Sequence, residues 1–146
     1  MQIRQISIFM ENKPGQLSAI CRVLADAEVN IVALSLADTS DFGIVRMIVD
    51  DYEKATRTLS EKGCVVNVAG VVAVRVPDSP GGMAGVMEVL DSVGVNIEYS
   101  YAMCGGASEG NAILFFRFSD NEKAEAALAK AGYTTLAESQ VLEASK

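Results

Sequence analysis

An α+β fold of two tandem βαββαβ units, each an antiparallel sheet with its helices on one face, is predicted by three features of this 146-residue sequence. The stretch "ENKPGQLSAICRVL" at 11–24 is echoed by "DSPGGMAGVMEVL" at 78–90, with Pro14 and Pro80, Gly15 and Gly81, and Leu24 and Leu90 each 66 residues apart. Apolar residues alternate with a period of two before the first of these turns and recur with a helical period after it. The same order of six elements then runs through both halves, 1–69 and 70–146, so the chain reads as a duplication.

The elements follow in order. "QISIFM" sets Ile6, Ile8 and Met10 against Gln5, Ser7 and Phe9, the alternation of a strand with unlike faces. After the Pro-Gly turn, Leu17, Ile20, Cys21 and Leu24 fall at i, i+3, i+4 and i+7, on one face of a helix. "NIVALSLAD" is a β-branched, apolar second strand, and "TSDFG" turns it into a third, "IVRMIVD". The second helix opens at Asp50 with Glu53 three residues on, an acidic analogue of the capping box. It closes at Gly63 and turns Tyr52, Ala55 and Leu59 inward. "CVVNV" supplies the fourth strand.

The second half repeats the order: strand "VAVRV", a helix over 82–93, strands "NIEYSYAM" and "AILFFRF", a helix over 121–131 opening with Ser119 and Glu122 and ending at Gly132, and a last strand near "TTLAES". Both halves read as ferredoxin-like sandwiches, a shape that hosts unrelated functions. Lys54 and Gly63 match Lys123 and Gly132 at an offset of 69, so the second half has gained three residues, placed in "CGGASEG". A hairpin tip is the favoured reading of that glycine-rich loop, and a lid over a ligand is the alternative.

Composition excludes several classes of function. A net charge of −7 disfavours nucleic acid and anionic membrane surfaces, which need clustered Lys and Arg. No stretch reaches the roughly 18 apolar residues of a membrane span, and "MQIRQISIFM" lacks the core of a signal peptide, so a cytoplasmic protein is expected. The chain has no histidine, which removes the commonest general base and metal ligand. Cys21, Cys64 and Cys104 have no CxxC spacing and read as buried, inert thiols. A phosphate-gripping hydrolase on this fold would need an arginine in the first loop, for which Lys13 and Arg22 are poor substitutes. No catalytic group, metal or cofactor is implied.

What remains is the pair of loops. A proline near the first helical position followed by glycine leaves backbone N–H groups with little bulk in front of them, a site suited to a carboxylate. Gly15, Gln16 and Leu17 would present those donors in one half, and Gly81, Gly82 and Met83 in the other. The alternative is that Pro and Gly only shape a tight turn. "EVNI" and "GVNI" also recur at an offset of 66, placing Asn30 and Asn96 before the second strand of each half. An asparagine amide both donates and accepts, so it can hold an ammonium or a carboxylate; it also serves as a turn residue tolerating a left-handed conformation. Ser35 corresponds to Tyr101, so two sites built this way need not be equivalent. Tyr99, Tyr101 and Met103 are read as sheet-face packing before ligand contacts.

The βαββαβ frame, the "KPGQL" and "SPGGM" loops and the "VNI" entering the second strand resemble the ACT domain, a small amino-acid-binding regulatory module, over essentially the whole chain as a tandem pair. The resemblance implies a free amino acid held at the interface of two domains. It points to Asn12, Gly15, Gln16, Leu17, Asn30 and Ile31 in the first half, and to Ser79, Gly81, Gly82, Met83, Asn96 and Ile97 in the second. Asn12 and Asp78 both answer to the acid or amide two residues before the proline in ligand-binding members. A tandem pair with no catalytic domain beside it implies a non-catalytic sensor, regulatory subunit or binding protein, partnered with an amino-acid metabolic enzyme. Apolar sheets with edges and faces to cover favour a homodimer of the tandem, with a monomeric pseudo-dimer as the alternative. The alternative is an interaction module, or a regulatory subunit of an amino-acid biosynthetic enzyme, with no ligand of its own.

Overall fold

Alternating Ile6 and Ile8 with Ser7 and Phe9 builds strand β1 (Ile3–Glu11), the first element of the computed structural model, which describes residues 2–103 and 110–146. The chain divides into two units, Arg4–Ala69 and Gly70–Lys146, the latter also holding the N-terminal residues up to Ile3. In the first unit β1 is followed by α1 (Gln16–Asp26), β2 (Ile31–Asp38), β3 (Phe42–Val49), α2 (Tyr52–Glu61) and the start of β4 (Val65–Pro77). The strands lie in the order β4-β1-β3-β2. Antiparallel pairing sets Ile6 opposite Met47 and Ile8 opposite Val45, and the β2–β3 hairpin sets Leu34 opposite Met47. That face packs on Ile20 and Leu24 of α1 and on Ala55 and Leu59 of α2. The opposite face carries Ser7, Phe9, Ala37, Ile44 and Arg46.

The second unit takes the rest of β4, then α3 (Gly82–Ser92), β5 (Ile97–Ala102), β6 (Asn111–Phe118), α4 (Asn121–Lys130), β7 (Thr135–Leu136) and α5 (Glu138–Ala144). Its strand order β7-β4-β6-β5 repeats that of the first unit, with Val72 opposite Phe116 and Val74 opposite Leu114. Val72, Val74 and Val76 form one wall of a core closed by Val86 and Leu90 of α3 and by Ala124 and Leu128 of α4. Tyr101 is buried and its ring lies 5.5 Å from that of Phe115, so it serves as sheet-face packing.

Four details differ from the sequence reading. "CVVNV" and "VAVRV" fall in one 13-residue strand, because the intervening "AGV" supplies no turn geometry and the extended backbone continues through Gly70. The last strand is only two residues long, and Glu138 opens a helix whose first turn is held by Gln140 Oε1 accepting from the Ala137 N–H at 2.7 Å. Helix α2 is capped by Asp51 rather than Asp50, and α4 by Asp120 rather than Ser119; each carboxylate accepts from the N–H three residues on, Lys54 or Lys123, at 3.0 Å. Cys21 and Cys64 are free and half-buried rather than buried, since Ile20 and Leu24, not Cys21, hold the centre of the apolar stripe. Cys104 and most of "CGGASEG" lie outside the described residues.

The turn after α1 contains Glu28 at φ 57, a left-handed residue with a side chain, where the second repeat has Gly94 at φ 69. Glu28→Gly is expected to stabilise the protein by about 0.5–1 kcal/mol, because glycine adopts this conformation without a Cβ penalty. A urea midpoint that rises at unchanged slope would show it; a fall would mean that the glutamate contributes more than the strain costs.

Candidate ligand-binding loops

Residues 12–15 join β1 to α1, and the turn closes only because Gly15 adopts φ 91, ψ −15; Gly81 does the same at φ 86, ψ −8. A side chain at either position would force an L-residue into the left-handed region. Neither helix has a side-chain cap or an acidic residue in its first turn, so the partial positive charge of each N-terminus is uncompensated within its own first turn. The Gln16 N–H turns back to the Lys13 carbonyl at 3.4 Å and the Gly82 N–H to the Ser79 carbonyl at 3.0 Å. Among the described residues the N–H groups of Leu17 and Ser18, and of Met83 and Ala84, have no backbone partner. Of the donors that the sequence indicates, Gln16 and Gly82 are thus engaged, while Gly15 and Leu17, and Gly81 and Met83, have no backbone partner among the described residues; Ser18 and Ala84 add a donor to each set.

Asn12 is committed to the protein itself. Its Nδ2 donates to Asp38 Oδ2 and to the Thr39 carbonyl, both at 3.1 Å, and its N–H donates to the Asp41 carbonyl at 2.9 Å, tying the loop to the β2–β3 hairpin. In the second unit the Asp78 N–H makes the equivalent bond to the Gly110 carbonyl at 2.8 Å. Asp38, Thr39 and Asp41 were not singled out in the sequence; the polar run "DTSD" after an apolar strand is the signal that marks them.

The two loops open onto different surroundings. Gln16 lines a cleft of about 300 Å3 with Met10, Ile20, Val23 and Cys64, while Leu17 packs against the core. Ser79 and Met83 line a cleft of about 440 Å3 with Val76, Asp78 and Leu114. Gly82, the counterpart of Gln16, is buried against the Pro77 carbonyl, where a Cβ would overlap that backbone.

Asn30 and Asn96 stand at the other end of the first helix of each repeat. The Asn30 N–H donates to Asp50 Oδ1 at 2.9 Å and its carbonyl accepts from the Asp50 N–H at 3.1 Å. Asn96 makes the same pair of bonds with Ser119, at 3.1 and 2.9 Å. These main-chain clamps are what Asp50 and Ser119 do instead of capping. Both asparagine side chains are exposed and have no hydrogen-bond partner among the described residues, and the left-handed conformation is carried by Glu28 and Gly94 instead. Ile31 and Ile97 pack against the two cores. Since α1 and α3 are 11 residues long, about 16 Å separates the loop from the asparagine. The structure does not bring the two clusters together within either unit.

Among the described residues no group of His, Cys, Asp and Glu is arranged to hold a metal ion, and no helix is long and apolar enough to cross a membrane. A family model described as an ACT domain pair matches residues 1–144. The crystal structure of protein BT0572 from Bacteroides thetaiotaomicron superposes with a TM-score of 0.90 at 38% identity, covering 97% of this chain and 96% of that one. The regulatory subunit of aspartate kinase from Thermus thermophilus, in a ligand-free form, gives 0.63 at 18% identity over 88% of this chain and 92% of that one. A structure of aspartokinase alpha and beta subunits gives 0.56 at 23% identity over 87% and 91%; at these identities the last two show the fold alone. No curated protein matches the sequence.

Proposed function

The chain belongs to the family of ACT domain pairs, and from that premise we propose that it is a non-catalytic regulatory protein whose two domains, 1–69 and 70–146, bind a free amino acid. The observation that supports this is the repetition of one loop geometry: a left-handed glycine at φ 91 and φ 86 opens each first helix and leaves two first-turn N–H groups in each without a backbone partner. Those donors suit the ligand's carboxylate. The exposed amides of Asn30 and Asn96 suit its ammonium or carboxylate, but a helix length away in the same unit they can reach it only from a second domain, so the ligand is held where two ACT domains meet. The reading extends to a cytoplasmic homodimer that reports an amino-acid level to a metabolic enzyme; the likeness in fold to a protein named as a regulatory subunit of aspartate kinase supports the regulatory part of it.

A thermal-shift screen of the purified protein against the twenty amino acids at millimolar concentration tests it. A ligand present at 100 times its Kd adds about 2.7 kcal/mol to stability, and one or a few amino acids are expected to raise the transition. Ser18→Pro and Ala84→Pro each remove one of the unpaired first-turn donors at a position that tolerates proline, and each is expected to reduce the shift contributed by its own half. A flat response to all twenty would overturn the reading and leave an interaction module in its place.

A further inference from the structure

A further cleft in the first unit is separate from these helix starts, on the sheet face opposite the helices. The register places Phe9 across from Ile44, and Ala37 across from the same Ile44, while Ile8 and Val45 point into the core. Phe42 opens β3 two residues before Ile44, and together these residues line an open cavity of about 450 Å3, within the range of small-molecule sites. Phe42 is 64% exposed and Phe9 42%. Burying such a side chain is worth about 1.5–3 kcal/mol, so two of them left open around one cavity call for an explanation.

The duplication supplies an internal control. Arg75 pairs with Ile113 as Phe9 pairs with Ile44, and Pro77 pairs with Asn111 as Glu11 pairs with Phe42. The second repeat thus builds the same sheet with Arg75 and Asn111 where the first has its two phenylalanines. The fold does not require the aromatic pair.

The cavity is also lined by two carboxylates. Glu11 meets Lys13 Nζ at 2.9 Å and Asp38 accepts from Asn12 at 3.1 Å, and both contacts are exposed. Among the described residues each carboxylate has one side-chain partner, which leaves it acceptor capacity, and the exposed Glu11–Lys13 ion pair is weak enough to exchange. We propose that this cleft binds a small molecule with an apolar or aromatic body and an ammonium group, the body lying against Phe9, Phe42 and Ile44 and the ammonium on Asp38 and Glu11. The carboxylates disfavour anions, and an ammonium over an exposed ring adds a cation–π attraction. This site does not depend on the loop reading.

Phenethylamine is the probe, since it has no carboxylate with which to engage the helix starts. In amide NMR spectra of the full chain it is expected to shift residues 9–11 and 37–44 saturably at millimolar concentration, with phenylacetate at least tenfold weaker. Phe42→Asn, which installs the residue of the other repeat at an exposed position, is expected to weaken binding at least tenfold at unchanged thermal stability. Asp38→Asn is expected to weaken phenethylamine but not the neutral phenethyl alcohol. Equal binding of phenylacetate, or shifts confined to residues elsewhere, would overturn the proposal. So would a dimer in sedimentation velocity that Phe42→Asn converts to monomer, because the cleft would then be covered by a second copy.

Discussion

Phe116→Ala is expected to lower stability by about 3–5 kcal/mol. The Phe116 ring is fully buried, stacked on Phe118 at 5.2 Å with the planes 10° apart, and opposite Val72 in a core shared with Leu90 and Leu128. Truncation removes its burial and leaves a cavity walled by side chains already fixed on two strands and two helices, with little freedom to collapse. Against a typical total of 5–15 kcal/mol for a domain, this loss leaves the second unit marginal. Urea titration followed by amide exchange of β4, β6 and α3 reports it. Phe42→Ala, on an exposed ring, is expected to stay within about 0.5 kcal/mol and serves as the control. A loss under 1 kcal/mol for Phe116→Ala would mean that the core closes over the gap.

The second large effect is at Gly82, where two opposing terms can be ranked. Alanine is a better helix former than glycine by about 1 kcal/mol, and at position 16 of the first repeat the same site holds a glutamine without difficulty. At position 82 the added Cβ would overlap the Pro77 carbonyl, a backbone atom at the end of β4 that cannot rotate away as a side-chain tip could. Overpacking of this kind costs about 1–3 kcal/mol, so Gly82→Ala is expected to be destabilising on balance while Gln16→Ala changes little. Denaturant midpoints of the two variants decide it. A gain for Gly82→Ala would show that the strand-to-helix turn relaxes freely.

The elements that were legible in the sequence are those decided locally. The Pro-Gly turns, the i, i+3, i+7 stripe of α1 and the alternation of β1 each involve neighbours in the chain, and all three stand where the sequence puts them. The capping residues show where local reasoning stops. Asp50 and Asp51, like Ser119 and Asp120, are adjacent and chemically able to cap, and the first of each pair is diverted by the main chain of Asn30 or Asn96, 20 and 23 residues away. Nothing local marks Asn121 either, a buried amide that accepts from the Phe118 N–H and donates to the Gly70 carbonyl and to Gln2. The cleft at Phe9 and Phe42 was hidden for the same reason: it exists only through the register of three strands. For the candidate ligand site the sequence identified the loops and the asparagines, but not that Asn12 is already bonded to the hairpin or that a helix length separates the two clusters.

The paired left-handed glycines have a consequence at the level of codons. Every single-nucleotide missense change from a glycine codon attaches a carbon to Cα, so Gly15 and Gly81, at φ 91 and φ 86, have no one-step replacement that keeps the backbone at ease. Substitution elsewhere in the loops is less constrained, as Leu17 against Met83 illustrates. Mutational drift after duplication is therefore channelled: it can reshape the side chains around each helix start, while the bend that opens each helix is inherited intact in both.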